Sequence, residues 1–204
     1  MDEEKLGITF RETMAGGFAL GATDPRAGHT QGNREGTALA MHATVSISDL
    51  DGFIRDPEHC GRIHGNIDFD PFGHGLAAPT GVFNLFSPTD NPAMKYMVYE
   101  LGFEYDGQSY YLAGRKEVHD DVGFDLWSDT TTLLARLHRG TGVDGEVVGA
   151  GVLSLGVTDL IKLVSTMRVT GAESPTAKAA AYAKFGRFFM AELWDSYARF
   201  VIPG

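Results

Sequence analysis

Residues 95–119, KYMVYELGFEYDGQSYYLAGRKEVH, alternate in side-chain character on both sides of Asp106-Gly107. Asp-Gly between two such runs is the chemistry of a tight hairpin, because both turn residues must take positive φ. The stretch therefore predicts two long antiparallel strands joined at YDGQ, 105–108. In the second strand, period-two geometry sends Tyr110, Leu112, Gly114, Lys116 and Val118 to one face. Tyr111, Ala113, Arg115, Glu117 and His119 take the other. Which face turns inward stays open at this point. If Leu112 points to the core, Lys116 lies near a barrel end and Arg115, Glu117 and His119 face solvent or a covering helix. If the opposite face does, a Glu117–His119–Arg115 trio lines the interior, where burial and mutual charge favour proton transfer. A wet strand end with screened ion pairs is the plainer reading of the same charges.

Working outward, GITFRETMAGGFAL (7–20) reads as a strand broken by a bulge or bend at Gly16-Gly17. The stretch 21–36, GATDPRAGHTQGNREG, has the composition of a long loop. TALAMHATVSI (37–47) alternates cleanly, with Leu39, Met41, Ala43, Val45 and Ile47 on one face. Ser48 opens SDLDGFIRD with a capping box completed by Asp51, a helix of one or two turns that Pro57 stops. Further strands are expected in GRIHGNIDF, TGVFNLFS, FDLWSDTTTLLARL and EVVGAGVLSLG.

Eight strands joined by short turns, with no long crossover helix between them, pair antiparallel. Closing them into a calycin- or lipocalin-like barrel removes the exposed edges. Gly65, Gly102, Gly114, Gly149 and Gly151 would supply the corner bends. The alternative is a β-sandwich with helices. The barrel would occupy about residues 7–156 and a helical tail about 158–202, within one domain spanning 1–204. In the tail, Thr158 caps DLIKLVSTMRV, and Ser174-Pro175 opens a helix running to Ile202, about 40 Å long. Tyr182, Phe185, Phe189, Leu193, Tyr197 and Phe200 recur on that helix at helical spacing, so its aromatic face must lie on protein: the outer wall or one mouth of the barrel, or else a dimer partner.

The 204 residues carry a formal net charge of −10 without a Lys/Arg cluster, which argues against nucleic-acid and anionic-membrane partners. Cys60 is the single cysteine, so no internal disulfide and no cysteine-rich zinc site can form. No run approaches a membrane span, and the acidic start MDEEKLGITF lacks the basic and apolar regions of a secretion signal. A cytoplasmic chain is the expectation. No P-loop, dinucleotide fingerprint or nucleophile elbow is present, so no cofactor is expected. His59, His64, Asp68, Asp70 and His74 invite a metal reading. But His64 and Asp68, four residues apart on a strand, stand about 13 Å from each other, and no metal is expected.

Two sets of site residues follow. For acid–base chemistry the candidates are Glu117 and His119, with Asp125 and Asp129, which share a strand face with Trp127. For an apolar ligand, the interior of an eight-stranded barrel is just wide enough to hold one small molecule. Phe83, Phe86, Tyr96, Tyr99, Phe103, Tyr110, Tyr111 and Trp127 are the rings expected to line it.

The strings FRETMAGGF, GVFNLFSPTD, YELGFEYDGQSYYLAGRKEV, DDVGFDLWSDTTTL and FGRFFMAELWDSYARF, spread from about Phe10 to Phe200, carry a resemblance. They resemble an accessory region of large bacterial glucose–methanol–choline (GMC) oxidoreductases of the cholesterol-oxidase-like kind. There it lies between a flavin oxidoreductase part and an α/β-hydrolase part. The resemblance implies an oxidoreductase or hydrolase as neighbour and a link to steroid or terpenoid chemistry. It assigns no catalytic residue, and this chain contains neither neighbouring domain.

Three readings emerge. The first is a barrel that binds a sterol-, terpenoid- or lipid-like molecule beside redox or hydrolytic enzymes. The second is a cofactor-independent isomerase or cyclase using acids in the barrel interior. The third is a structural docking domain presenting Phe185–Phe200, with assembly of two copies left open.

Overall fold

A computed structural model of the chain describes residues 5–91, 94–119 and 131–197. Eight antiparallel strands close into a barrel: β1 (Gly7–Leu20), β2 (Ala38–Ile47), β3 (Cys60–Phe69), β4 (Gly73–Pro88), β5 (Met94–Tyr105), β6 (Gln108–His119), β7 (Thr132–Arg139) and β8 (Glu146–Ser154). Each strand pairs with the next, and β1 pairs with both β2 and β8, which settles the choice between barrel and sandwich. A ninth short strand, β9 (Arg168–Thr170), adds to β1 outside the ring.

The β5–β6 hairpin forms as its sequence requires. Asp106 and Gly107 take φ of 48° and 71°, and Tyr105 pairs with Gln108. Alternation then sets the inside. On β2, Leu39, Met41, Ala43, Val45 and Ile47 are buried while the residues between them are partly exposed. On β6 the inward face is that of Leu112, so Leu112, Lys116 and Val118 are buried. Fully burying one such aliphatic side chain contributes about 1.5–3 kcal/mol.

Among the described residues four helices accompany the barrel: α1 (Pro25–Glu35), α2 (Leu50–Arg55), α3 (Val157–Thr166) and α4 (Pro175–Tyr197). Helix α1 falls where a loop was expected. Asp24 caps it by accepting from the Ala27 N–H at 2.9 Å, Pro25 begins it, and Gly36 ends it at φ 72°. Its buried face consists of Pro25, Gly28 and Gly32, so no large apolar stripe announces it. The glycines let the helix lie directly on the wall: a Cβ on Gly28 would stand 2.1 Å from the Ala150 carbonyl oxygen, and one on Gly32 2.3 Å from the Phe18 nitrogen. The expected bulge at Gly16-Gly17 is also absent, since the register from Ala15↔Ala40 to Gly17↔Ala38 runs unbroken. Close approach is the reason for Gly17, whose Cβ would meet Asn33 of α1.

Two caps shift. Asp49, not Ser48, caps α2 by accepting from Gly52 N–H at 2.8 Å, and Gly156, not Thr158, precedes α3. Helix α3 also stops at Thr166, and Arg168–Thr170 become β9. For α4 the cap is as expected: Ser174 Oγ accepts from Ala177 N–H at 3.1 Å, with Pro175 first in the helix. The expected strand FDLWSDTTTLLARL is described only from residue 131, and β7 begins at Thr132. No helix among the described residues is long and apolar enough to cross a membrane.

Candidate functional site: a buried polar cluster beneath α4

The barrel has a hairpin end, where β5 turns into β6, and an opposite end covered by α4. At the hairpin end the interior is filled by rings. Phe18 meets Phe69 at 5.3 Å between centroids, Phe69 meets Phe72 at 5.2 Å, and Phe72 stacks on Tyr105 at 4.5 Å. Tyr110 closes the group against Phe72 and Phe103. Phe18, Phe69, Leu39, Met41, Ile67 and Leu101 are 0% exposed. A water-sized void beside any of them would leave accessible area, so this half is packed to the density of an ordinary protein interior.

The other half is closed as tightly, with Phe83 and Val45 also 0% exposed, but it differs in carrying polar groups inside. Glu12 on β1 and Lys116 on β6, which are not neighbouring strands, reach across the interior and pair at 3.0 Å. Lys116 Nζ also donates to the Tyr99 hydroxyl at 3.3 Å and stands 4.6 Å from that ring's centroid. Lys116 thus joins Tyr99 to Glu12, whose negative charge bears on the Tyr99 phenol. The three are 2–3% exposed. Alternation explains how they come together: Glu12 sits between Phe10 and Met14 on the inward face of β1, and Lys116 sits opposite Met97. Burial, and then the charge of Glu12, push the Tyr99 phenol well above its usual pKa, so it remains a neutral donor.

A chain of rings leads from this cluster to α4. Tyr99 meets Phe83 edge-on at 5.2 Å, Phe83 meets Phe10 at 6.3 Å, and Phe10 meets Phe185 of α4 at 6.4 Å. Phe188 packs against Phe53, His59 and Phe86, and Phe189 against Phe86. Of the locations expected for the aromatic face of α4, the mouth is where Phe185, Phe188 and Phe189 lie, while Tyr182 is 40% exposed. Two residues beneath Phe188, His59 and Phe86, hold positive φ of 45° and 57°, costly for side chains of that size. Ion pairs flank the seat: Lys95 with Glu192 at 2.6 Å, and Lys184 with Asp51.

The expected ligand-lining rings divide. Phe83 and Tyr99 belong to the polar half, Phe103 and Tyr110 to the packed hairpin end, and Phe86 lies under α4. Tyr96 and Tyr111 point out of the barrel. Tyr96 sits beneath the Arg115 guanidinium at 4.9 Å, and the Tyr111 hydroxyl donates to Glu100 at 2.6 Å. Tyr111 borders an open groove on the outer wall with Thr80, Val82, Gly102 and Glu104. Burial and the Glu100 carboxylate also raise its phenol pKa.

Among the expected acid–base residues, Glu117 lies on the outer face, 3.3 Å from Arg115 Nε. His119 ends β6 opposite Met94. Asp125, Trp127 and Asp129 lie outside the described residues. The residues missed are Glu12 and Lys116. Their signal was a charged side chain on the apolar face of an alternating strand.

Of the histidines and aspartates considered for a metal, His74 lies between Asp68 and Asp70, and His59 stands apart from them. His59 is buried, with Nδ1 2.7 Å from the Leu85 carbonyl oxygen. On the outer wall, Asp68 lies 3.1 Å from His42 Nε2 and 3.7 Å from His74 Nδ1. The Gly75 N–H, followed by His42, holds the Asp68 carboxyl below its ordinary pKa. Among the described residues, no group of three or more such side chains is disposed to hold a metal ion. Comparison of the chain with protein-family models, with curated proteins and with solved structures returns no match.

Proposed function

We propose that the chain binds a hydrophobic small molecule in the half of the barrel beneath α4, with Glu12, Lys116 and Tyr99 anchoring its polar group. The observation that carries this reading is the buried ion pair itself. Taking both charges out of water costs several kcal/mol per ion, and apolar residues of the same volume commonly give an equal or more stable core. Such a pair within a greasy interior is explained by a ligand group that needs it. The surrounding rings suit an apolar body of sterol, terpenoid or lipid type, and the ligand's hydroxyl or carbonyl replaces one hydrogen bond of the cluster. Ingress is by displacement of α4, whose Phe185 packs on Phe10, the inward-facing neighbour of Glu12 on β1.

The resemblance to the accessory region of GMC oxidoreductases supports the same class of ligand and an oxidoreductase or hydrolase as the partner that makes or consumes it. Docking through the α4 aromatic face has less support, because Phe185 and Phe188 are buried in the chain's own mouth.

The test is thermal melting in the presence of sterols, terpenoids and fatty acids, together with native mass spectrometry of the purified protein. A ligand at a hundred times its Kd stabilises by about 2.7 kcal/mol. The expected result is a shift that Lys116→Met abolishes in a protein still folded. A full panel without a shift, and no co-purified molecule, would overturn the reading.

A further inference from the structure

We infer that Glu12, Lys116 and Tyr99 form a proton-transfer site for an enolisable carbonyl compound, making the chain a cofactor-independent isomerase. This rests on the binding reading and names its substrate class.

The geometry points to that chemistry because it supplies the two functions enolisation needs. Glu12 offers a carboxylate, and Lys116 Nζ donates both to it at 3.0 Å and to the Tyr99 hydroxyl at 3.3 Å, which leaves the Tyr99 O–H proton as a second donor for an oxygen that enters the cluster. A carbonyl oxygen that takes the place of the Glu12 carboxylate on Lys116 and meets the Tyr99 hydroxyl receives both hydrogen bonds. The released carboxylate is then left against the carbon next to that carbonyl. The Glu12 carboxylate removes a proton from this α-carbon. The C–H electron pair becomes the Cα–C double bond, and the carbonyl π pair moves to oxygen as an enolate. Lys116 and Tyr99 stabilise the negative oxygen in a site from which water is excluded. Glu12 returns the proton to the same carbon on its other face, or to a conjugated carbon further along. The product is an epimer or a double-bond isomer, and no oxidant, reductant or second substrate enters.

The three side chains suit these roles through their surroundings. Burial keeps Tyr99 protonated, hence a donor. The rings of Phe83 and Phe10 wall the cluster off from water, so side reactions with solvent are kept out. The outer-face charges Arg115 and Glu117 take no part, since the β6 strand separates them from the interior.

The experiment uses two probes, androst-5-ene-3,17-dione and menthone, in deuterated buffer. Proton NMR follows deuterium uptake at the α-carbon, double-bond migration in the first and epimerisation in the second. Melting in the same solutions reports binding. The wild-type chain is expected to accelerate α-exchange by on the order of 100-fold or more over buffer for a probe that binds. Glu12→Gln is expected to lose that acceleration, and Tyr99→Phe to lose a large part of it, each compared at a probe concentration raised until its own melting shift shows the probe bound. Because Glu12→Gln leaves Lys116 unpaired, the double variant Glu12→Gln/Lys116→Met provides a neutral, folded control that is also inactive. Binding without exchange above buffer would overturn this inference and leave the binding reading standing. So would exchange that survives Glu12→Gln. Shifts from sterol alcohols or fatty acids but from neither ketone would remove the carbonyl substrate alone. No shift from any compound would remove both.

Discussion

At the hairpin end of the barrel, Phe18, Phe69, Phe72 and Tyr110 close the interior with rings from the strands and their turns. At the opposite end the closure comes from α4, a separate element whose Phe185 and Phe188 keep 7% and 8% of their surface. Among the described residues the first end is closed by rings packed on one another, while the second surrounds an ion pair with apolar walls. One barrel thus contains a half built for rigidity and a half that carries the energetic cost of buried charge. The contrast singles out the α4 end as the place where stability alone gives no reason for the residues present.

The contrast can be broken most forcefully at the hairpin end. Phe69→Ala is expected to cost about 4 kcal/mol, because the surrounding rings cannot collapse into the cavity. Phe185→Ala, at the end where a helix can settle inward, should cost clearly less. Urea denaturation of the two variants would show whether the ends differ, and equal losses would erase the distinction. Next in size, Lys116→Met leaves Glu12 buried without its cation and is expected to cost about 3 kcal/mol. Pairing it with Glu12→Leu should recover most of that loss. A single variant as stable as wild type would mean that the pair carries no penalty to explain.

A smaller effect tests the wall. A Cβ on Gly28 meets the Ala150 carbonyl oxygen at 2.1 Å, so Gly28→Ala must lift α1 and should cost about 1–3 kcal/mol. Smaller still is the alkaline response of the polar half. Burial raises the Tyr99 phenol above its ordinary value of about 10, so the folded chain holds that proton more tightly than the unfolded one. Its contribution is intact below about pH 10 and is lost as the pH rises further. Tyr99→Phe should therefore flatten the decline of melting temperature above that pH, and an unchanged slope would place the titrating group elsewhere. Last, Lys95→Ala removes an ion pair at the edge of the α4 seat that is 27% and 19% exposed. It should change stability by about 1 kcal/mol or less. Its measurable effect should be faster amide exchange in α4, with β3 and β4 at the hairpin end unaffected.

How much of this was legible in the sequence depended on the size of the side chains involved. The hairpin could be read because Asp106-Gly107 leaves few alternatives, and β2 because its large apolar residues alternate without a break. Helix α1 could not, because its contact face is made of hydrogens on glycine, and periodicity searches see only bulk. The aromatic face of α4 was visible, but its location was not, since nothing in a helix specifies which end of a barrel it covers. Glu12 and Lys116 were hidden for a topological reason. They lie 104 residues apart on strands that are not neighbours, and only closure of the ring brings them within 3.0 Å. Local alternation placed Lys116 correctly beside Leu112, but a lone cation on an apolar face reads as a strand end until its partner is known.

Closure of that ring has a consequence for how the molecule is made. Most neighbouring strands are consecutive and can zip together as they leave the ribosome, but the seam joins Ala15 to Ser154. One edge of β1 from Ala15 to Leu20 therefore waits with open backbone groups until β8 has been synthesised. Sealing so distant a contact is slow. During that interval the nascent chain exposes a sticky border, which makes the seam the step at which temperature, crowding or a chaperone decides the yield of native protein.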